Sequence, residues 1–98
     1  MIAVYYILVF AEVSTNMARF DGIRYGLQDD TSTFASIKDY YSTVRDHGFG
    51  TEVKRRILLG SYVLSAGFYD AYYRKAQTVR AKMQQTMNGL FNDVDVIL

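Results

Sequence analysis

Few residues in this chain combine a reactive type with a telling spacing, and the run Lys54-Arg55-Arg56 is foremost among them. On a helix each residue turns about 100° from the last, so three consecutive cations cannot share one face and at least one is expected to point inward. Arg56 is the candidate. It adjoins the apolar Ile57 and stands one turn before Gly60, whose missing side chain leaves room beside it. A partly buried guanidinium needs an anionic partner, and its planar fork suits a carboxylate held by two hydrogen bonds. Two readings stand at this point. One is a structural ion pair with an acid such as Asp70 or Glu12; the other is a clamp for the carboxylate of a small ligand.

Other constellations carry less. None of Ser14, Ser32, Ser36, Ser42, Ser61 and Ser65 sits in a Gly-x-Ser-x-Gly or Ser-x-x-Lys setting, so no self-contained serine nucleophile is visible. The single histidine, His47, is expected to cap a helix C-terminus, where the dipole favours a cation. Asp93 and Asp95 fall short of the six to eight oxygens that calcium takes. Gly48-Phe49-Gly50 has no Lys-Ser or Lys-Thr in Walker spacing and reads as an interhelical hinge. With no cysteine there is no disulfide framework and no thiolate zinc site, and no metal or cofactor site is expected in this chain.

The elements that must position these residues are mostly helical. The apolar run from Met1 leads a helix to about Phe20; it is charged from Glu12 onward and too short to span a membrane. A loop from Asp21 to Thr33 follows, with Gly22, Gly26 and Asp29-Asp30 as turn chemistry. The second helix is expected from an N-cap at Ser32 or Thr33 to His47, with Phe34, Ile37, Tyr41 and Val44 on its inner stripe and Gly48 closing it. Thr51 and Glu52 open a third helix, with Val53, Ile57, Gly60 and Leu64 as its stripe. A fourth runs from about Phe68 into the low eighties or beyond, with Tyr69, Tyr72, Tyr73, Ala76, Val79, Met83 and Met87 inward. Val94 to Leu98 reads as a short buried strand for which no partner strand is found.

Composition bounds the rest. Ninety-eight residues make one unit without an internal boundary. Half of them are apolar, which excludes a disordered chain of low hydrophobicity, and the formal net charge of +1 advertises neither nucleic acid nor an anionic membrane. No proline interrupts the helices. The wholly apolar first segment and the unpaired terminal strand lead to the expectation of a truncated chain that exposes Ile2 to Phe10 and Val94 to Leu98, and so self-associates or is marginally stable.

Three runs then carry a resemblance: Ser14 to Gly26 (STNMARFDGIRYG), Gly48 to Gly60 (GFGTEVKRRILLG) and Tyr62 to Tyr73 (YVLSAGFYDAYY). Together with Lys75-Ala76-Gln77 and Asp93 to Leu98, they resemble an internal stretch from the C-terminal half of the A subunits of aspartyl/glutamyl-tRNA amidotransferases, within the amidase signature family. The resemblance implies a fragment of an α/β fold, here mainly α with about four helices, covering residues 1–98. It implies a glutaminase that uses a Ser-cis-Ser-Lys triad lying upstream, so that no catalytic residue is expected in this chain.

The same resemblance assigns the carboxylate of substrate glutamine to Arg56 and a place in the glutamine pocket to Tyr5. The stretch Val9 to Val13 departs from the family's smaller residues there. Expected partners are the B and C subunits, with tRNA reached through the complex and no membrane. ATP and magnesium belong to the partner subunit, and a bacterial cytoplasm is preferred over an organellar matrix. The alternative is an inert remnant or a stand-alone helical interaction module.

Overall fold

The computed structural model describes residues 1–30 and 34–97. Its elements are α1 (Ile2–Met17), α2 (Ile37–Gly48), α3 (Thr51–Leu64), a π-wound segment (Tyr69–Arg74) and α4 (Lys75–Leu90) that continues from it. The mainly helical expectation holds, but Val94 to Ile97 form no strand, and no strand occurs among the described residues. A strand needs a neighbour to take its alternate amides and carbonyls, and none is at hand.

Small residues decide how the helices meet. Ala11 of α1, Gly60 and Val63 of α3 and Ala76 of α4 are buried, so the helices approach closely where side chains are short. The tightest approach is at Gly60, where a Cβ would lie 1.9 Å from the carbonyl oxygen of Phe10. The space beside Gly60 is therefore taken by the backbone of α1 and does not accommodate Arg56.

A second, smaller core joins α2 to the loop that follows α1. Tyr40 and Val44 are buried there, and the Tyr40 hydroxyl donates to the carbonyl of Gly22 at 2.5 Å. Gly22 (φ 74°) and Gly26 (φ 87°) supply the left-handed backbone that the loop needs. Asp21 organises the turn, since its Oδ1 accepts the amides of Ile23 and Arg24 at 2.9 Å and of Tyr25 at 3.3 Å.

The expected inner stripe of α2 is thus shifted: Tyr40 replaces Tyr41 as the buried ring, and Ile37 is 57% exposed. The described helix starts at Ile37, with Ser36 as N-cap accepting from the Asp39 amide at 3.2 Å; the caps expected at Ser32 or Thr33 lie outside the described residues. On α3 the cap residue is Gly50, one before the expected Thr51. The fourth helix begins as a wide π turn, beside which Tyr62 stacks on Phe68 (centroids 4.3 Å apart) and Tyr69 packs on Tyr73 (5.1 Å).

The whole is elongated, 62 × 33 × 20 Å, with a radius of gyration of 18.5 Å. A compact chain of about 100 residues has roughly 13 Å. No described helix is long and apolar enough to cross a membrane.

Candidate functional site

The three cations of α3 part company. Lys54 turns to α2 and meets Asp46, Nζ to Oδ1 at 2.5 Å, and this ammonium holds the Asp46 carboxyl below its ordinary range. Arg55 and Arg56 both turn to Glu52, which stands in the first turn of the same helix. Glu52 Oε2 accepts from Arg55 Nε at 3.0 Å, and Oε1 accepts from Arg55 Nη2 at 3.3 Å and from Arg56 Nε at 2.9 Å. Hydrogen bonds first from Arg55 and then from Arg56 hold the Glu52 carboxyl below the usual glutamate value.

Arg56 is half-buried, its side chain 40% exposed. Its structural partner is Glu52, four residues earlier, and neither of the acids expected from sequence. Asp70 pairs within its own helix with Arg74 at 3.1 Å, and Glu12 is exposed on α1. With Nε committed to Glu52, both Nη groups of Arg56 are without a protein partner among the described residues. That leaves the end-on edge of the guanidinium, two parallel N–H donors, open to a carboxylate.

Tyr5 lies in the N-terminal half of α1, 59% exposed, its ring edge-on to Tyr6 at 5.5 Å. No hydrogen bond or ring contact among the described residues joins it to Arg56. The two residues that sequence singled out are thus not brought together, and Tyr5 is open to solvent.

A groove of about 500 Å³ lies between α1, α2 and α3, lined among others by Ser14, Arg45, Asp46, Lys54, Ile57 and Ser61. Neither Arg56 nor Tyr5 lines it. Ser14 and Ser61 meet at 3.1 Å, and Ser61 donates to the Ile57 carbonyl at 2.9 Å, so the proton of the contact comes from Ser14. Among the described residues no base accepts from either hydroxyl, the partner that an activated serine needs. Arg45 ties the end of α1 to α2, donating to the carbonyls of Phe20 (3.3 Å) and Ala18 (3.1 Å). His47 stands in the last turn of α2, where sequence placed it, and its ring is exposed. No group of three or more potential metal ligands occurs among the described residues.

Compared with known proteins, residues 1–98 match the sequence profile of one family throughout, described as Amidase. The chain belongs to the amidase family. It is similar to the A subunit of the glutamyl-tRNA(Gln) amidotransferase of Novosphingobium aromaticivorans, 56% identical over 94 residues, which are 96% of this chain and 19% of that protein. The protein of the same name from Fusobacterium nucleatum is 54% identical over 94 residues, again 96% of the chain and 19% of the relative. That of Acidobacterium capsulatum is 55% identical over 98 residues, 99% of the chain and 20% of the relative. This amidase-family chain thus spans about a fifth of the length of the curated relatives it matches. Sequence reasoning placed Arg56 on the right helix but missed Glu52 as its holder. The signal was present, because an acid four residues before an arginine lies on the same face of a helix.

Proposed function

We propose that this chain is a stretch of the glutamine-hydrolysing subunit of a tRNA-dependent amidotransferase, in which Arg56 holds the α-carboxylate of glutamine. The observation that carries the reading is the Arg56 side chain, partly covered along its length, with its guanidinium bonded through Nε and no protein partner at either Nη group among the described residues. The similarity to proteins named for glutamyl-tRNA(Gln) supports the wider setting. Binding at Arg56 orients the substrate, and the nucleophile that releases ammonia comes from sequence outside these 98 residues, in the α/β body of the family's fold. Tyr5 forms a wall of the same pocket once that body covers α1.

In this reading the ammonia passes to a B subunit, which uses ATP and magnesium to activate Glu-tRNA(Gln) or Asp-tRNA(Asn), with a small C subunit beside it. The tRNA is reached through the complex, in the cytoplasm. The chain alone has no triad and is inactive.

The test is a chimera in which these 98 residues replace the matching stretch of the Acidobacterium capsulatum protein, assembled with its partner subunits and assayed for ammonia release from glutamine. Activity that falls at least about a hundredfold in kcat/KM with Arg56→Ala, as expected for a lost charged clamp, supports the reading. An active chimera indifferent to Arg56→Ala sinks it. The second reading, a helical interaction module or inert remnant, draws on the exposed apolar side chains Ile2, Leu58 and Val96. A chimera that folds and assembles but releases no ammonia would favour it.

A further inference from the structure

We propose that Glu52 is a positioning residue for the substrate carboxylate: by occupying Nε of Arg56 it turns the guanidinium so that its Nη1–Nη2 edge, and no other, is presented to ligand. This rests on the reading of Arg56 as the glutamine clamp. A guanidinium has two edges that match a carboxylate in parallel, the end-on pair of Nη groups and the side-on pair of Nε with one Nη. The Glu52 Oε1 contact to Nε, 2.9 Å, blocks the side-on edge and pins a side chain that otherwise has several rotatable bonds.

An acid beside an anion-binding site raises the question of repulsion, and Arg55 answers it. Arg55 grips Glu52 through two hydrogen bonds, so the cluster Arg55–Glu52–Arg56 carries a net charge of +1 rather than zero. Lys54 adds nothing to this local balance, because Asp46 neutralises it on the α2 side. Glu52 therefore fixes direction while Arg55 preserves the attractive sign. As a stabilising ion pair, the exposed i,i+4 contact would mean little, since such pairs contribute only weakly to folding. Its value lies in orientation.

The two possible effects of Glu52 have opposite signs in binding. If it positions Arg56, removing it weakens glutamine binding; if its charge merely repels the substrate, removing it strengthens binding. In the chimera described above, Glu52→Ala should raise KM for glutamine about tenfold with kcat little changed, the mark of lost ground-state binding geometry. Glu52→Gln keeps an acceptor for Nε and should recover part of that loss. A KM unchanged or lowered in Glu52→Ala, while Arg56→Ala still cripples the enzyme, overturns the proposal and leaves the clamp standing. An Arg56→Ala chimera with unaltered kinetics overturns both. A readout free of assembly is the Arg56 Nε–H resonance of the 98-residue chain, whose exchange with solvent should speed up about twofold in Glu52→Ala, the factor an exposed i,i+4 pair can supply. Equal exchange in the two chains overturns the proposal even if the variant chimera fails to assemble.

Discussion

Gly60 and Phe10 meet backbone to backbone where α3 crosses α1: a Cβ on Gly60 would stand 1.9 Å from the Phe10 carbonyl oxygen and 2.6 Å from Ser14 Cβ. A carbonyl on a helix cannot swing away as a long side chain can, so the helices must separate to admit even one methyl group. Gly60→Ala should therefore destabilise the chain by about 2 kcal/mol, the overpacking cost of up to about 3 kcal/mol less about 1 kcal/mol of improved helix propensity. Gly89 lies in α4 with nothing within 4 Å of its added Cβ. There Gly89→Ala should stabilise by about 0.5 to 1 kcal/mol. Urea titrations followed by helical circular dichroism would show both, and equal effects at the two positions would refute the close crossing.

The buried ring of α2 offers a cleaner test of one hydrogen bond. Tyr40 is 2% exposed, donates to the Gly22 carbonyl and accepts from the Asp29 amide at 3.4 Å. Tyr40→Phe keeps the ring and strands a buried carbonyl, so a loss of about 1 to 2 kcal/mol is expected. The substitution Tyr41→Phe, on the ring that sequence periodicity favoured, should shift the same urea midpoint by less than about 0.5 kcal/mol. A reversal of that order would mean that the stripe read from sequence is the true one.

That stripe shows where sequence reading stops. Gly22 and Gly26 were legible as turn residues because only glycine takes positive φ without cost, and both do so here. The start of α3 was legible to within one residue from Thr51 and Glu52. Tyr40 and Tyr41 are one residue and 100° apart, and choosing between them depends on the loop that folds back onto α2, a tertiary fact without a local signal. The π turn at Tyr69–Arg74 is equally invisible to a 3.6-residue period. For the candidate site, periodicity placed Arg56 on α3 but not its partner, because the reading sought a distant acid while the i,i+4 neighbour Glu52 was already in reach.

Acid should loosen the molecule through three carboxylates. Asp21 is held below its ordinary value by the amides of Arg24 and Ile23, Asp46 by Lys54, and Glu52 by Arg55 and then Arg56. Each folded-state value lies below the unfolded one, so the stabilisation is fully present above the ordinary carboxylate range, about pH 4, and is lost as pH falls through the depressed values. Urea midpoints measured from pH 7 downward should stay flat and then drop. In Asp21→Asn the side-chain oxygen still accepts the turn amides, so the fold at pH 7 should survive with a shallower acid drop. In Asp21→Ala both the turn and its share of the acid dependence should go. An unchanged acid slope in Asp21→Asn would remove this carboxylate from the account.

The surface makes the last prediction. The accessible area is 7593 Å², about a third above the roughly 5,700 Å² expected of a folded monomer of 11.2 kDa. Apolar side chains account for a share of it: Ile2 is 72% exposed, Leu58 71% and Val96 68%. The excess, close to 2,000 Å² per chain, exceeds the roughly 800 Å² that each partner gives to a standard protein interface. Where the exposed surface is apolar, as at Ile2, Leu58 and Val96, another polypeptide surface is the available cover. The 98-residue chain by itself should therefore associate, with sedimentation showing dimers or larger species at micromolar concentration and Leu58→Lys shifting the distribution toward monomer. Under the proposed reading the body of the relative takes that place in the chimera, and Leu58→Lys should there lower stability instead of changing the oligomeric state. A chain that sediments as a monomer and melts cooperatively at high temperature would show that these helices need no cover.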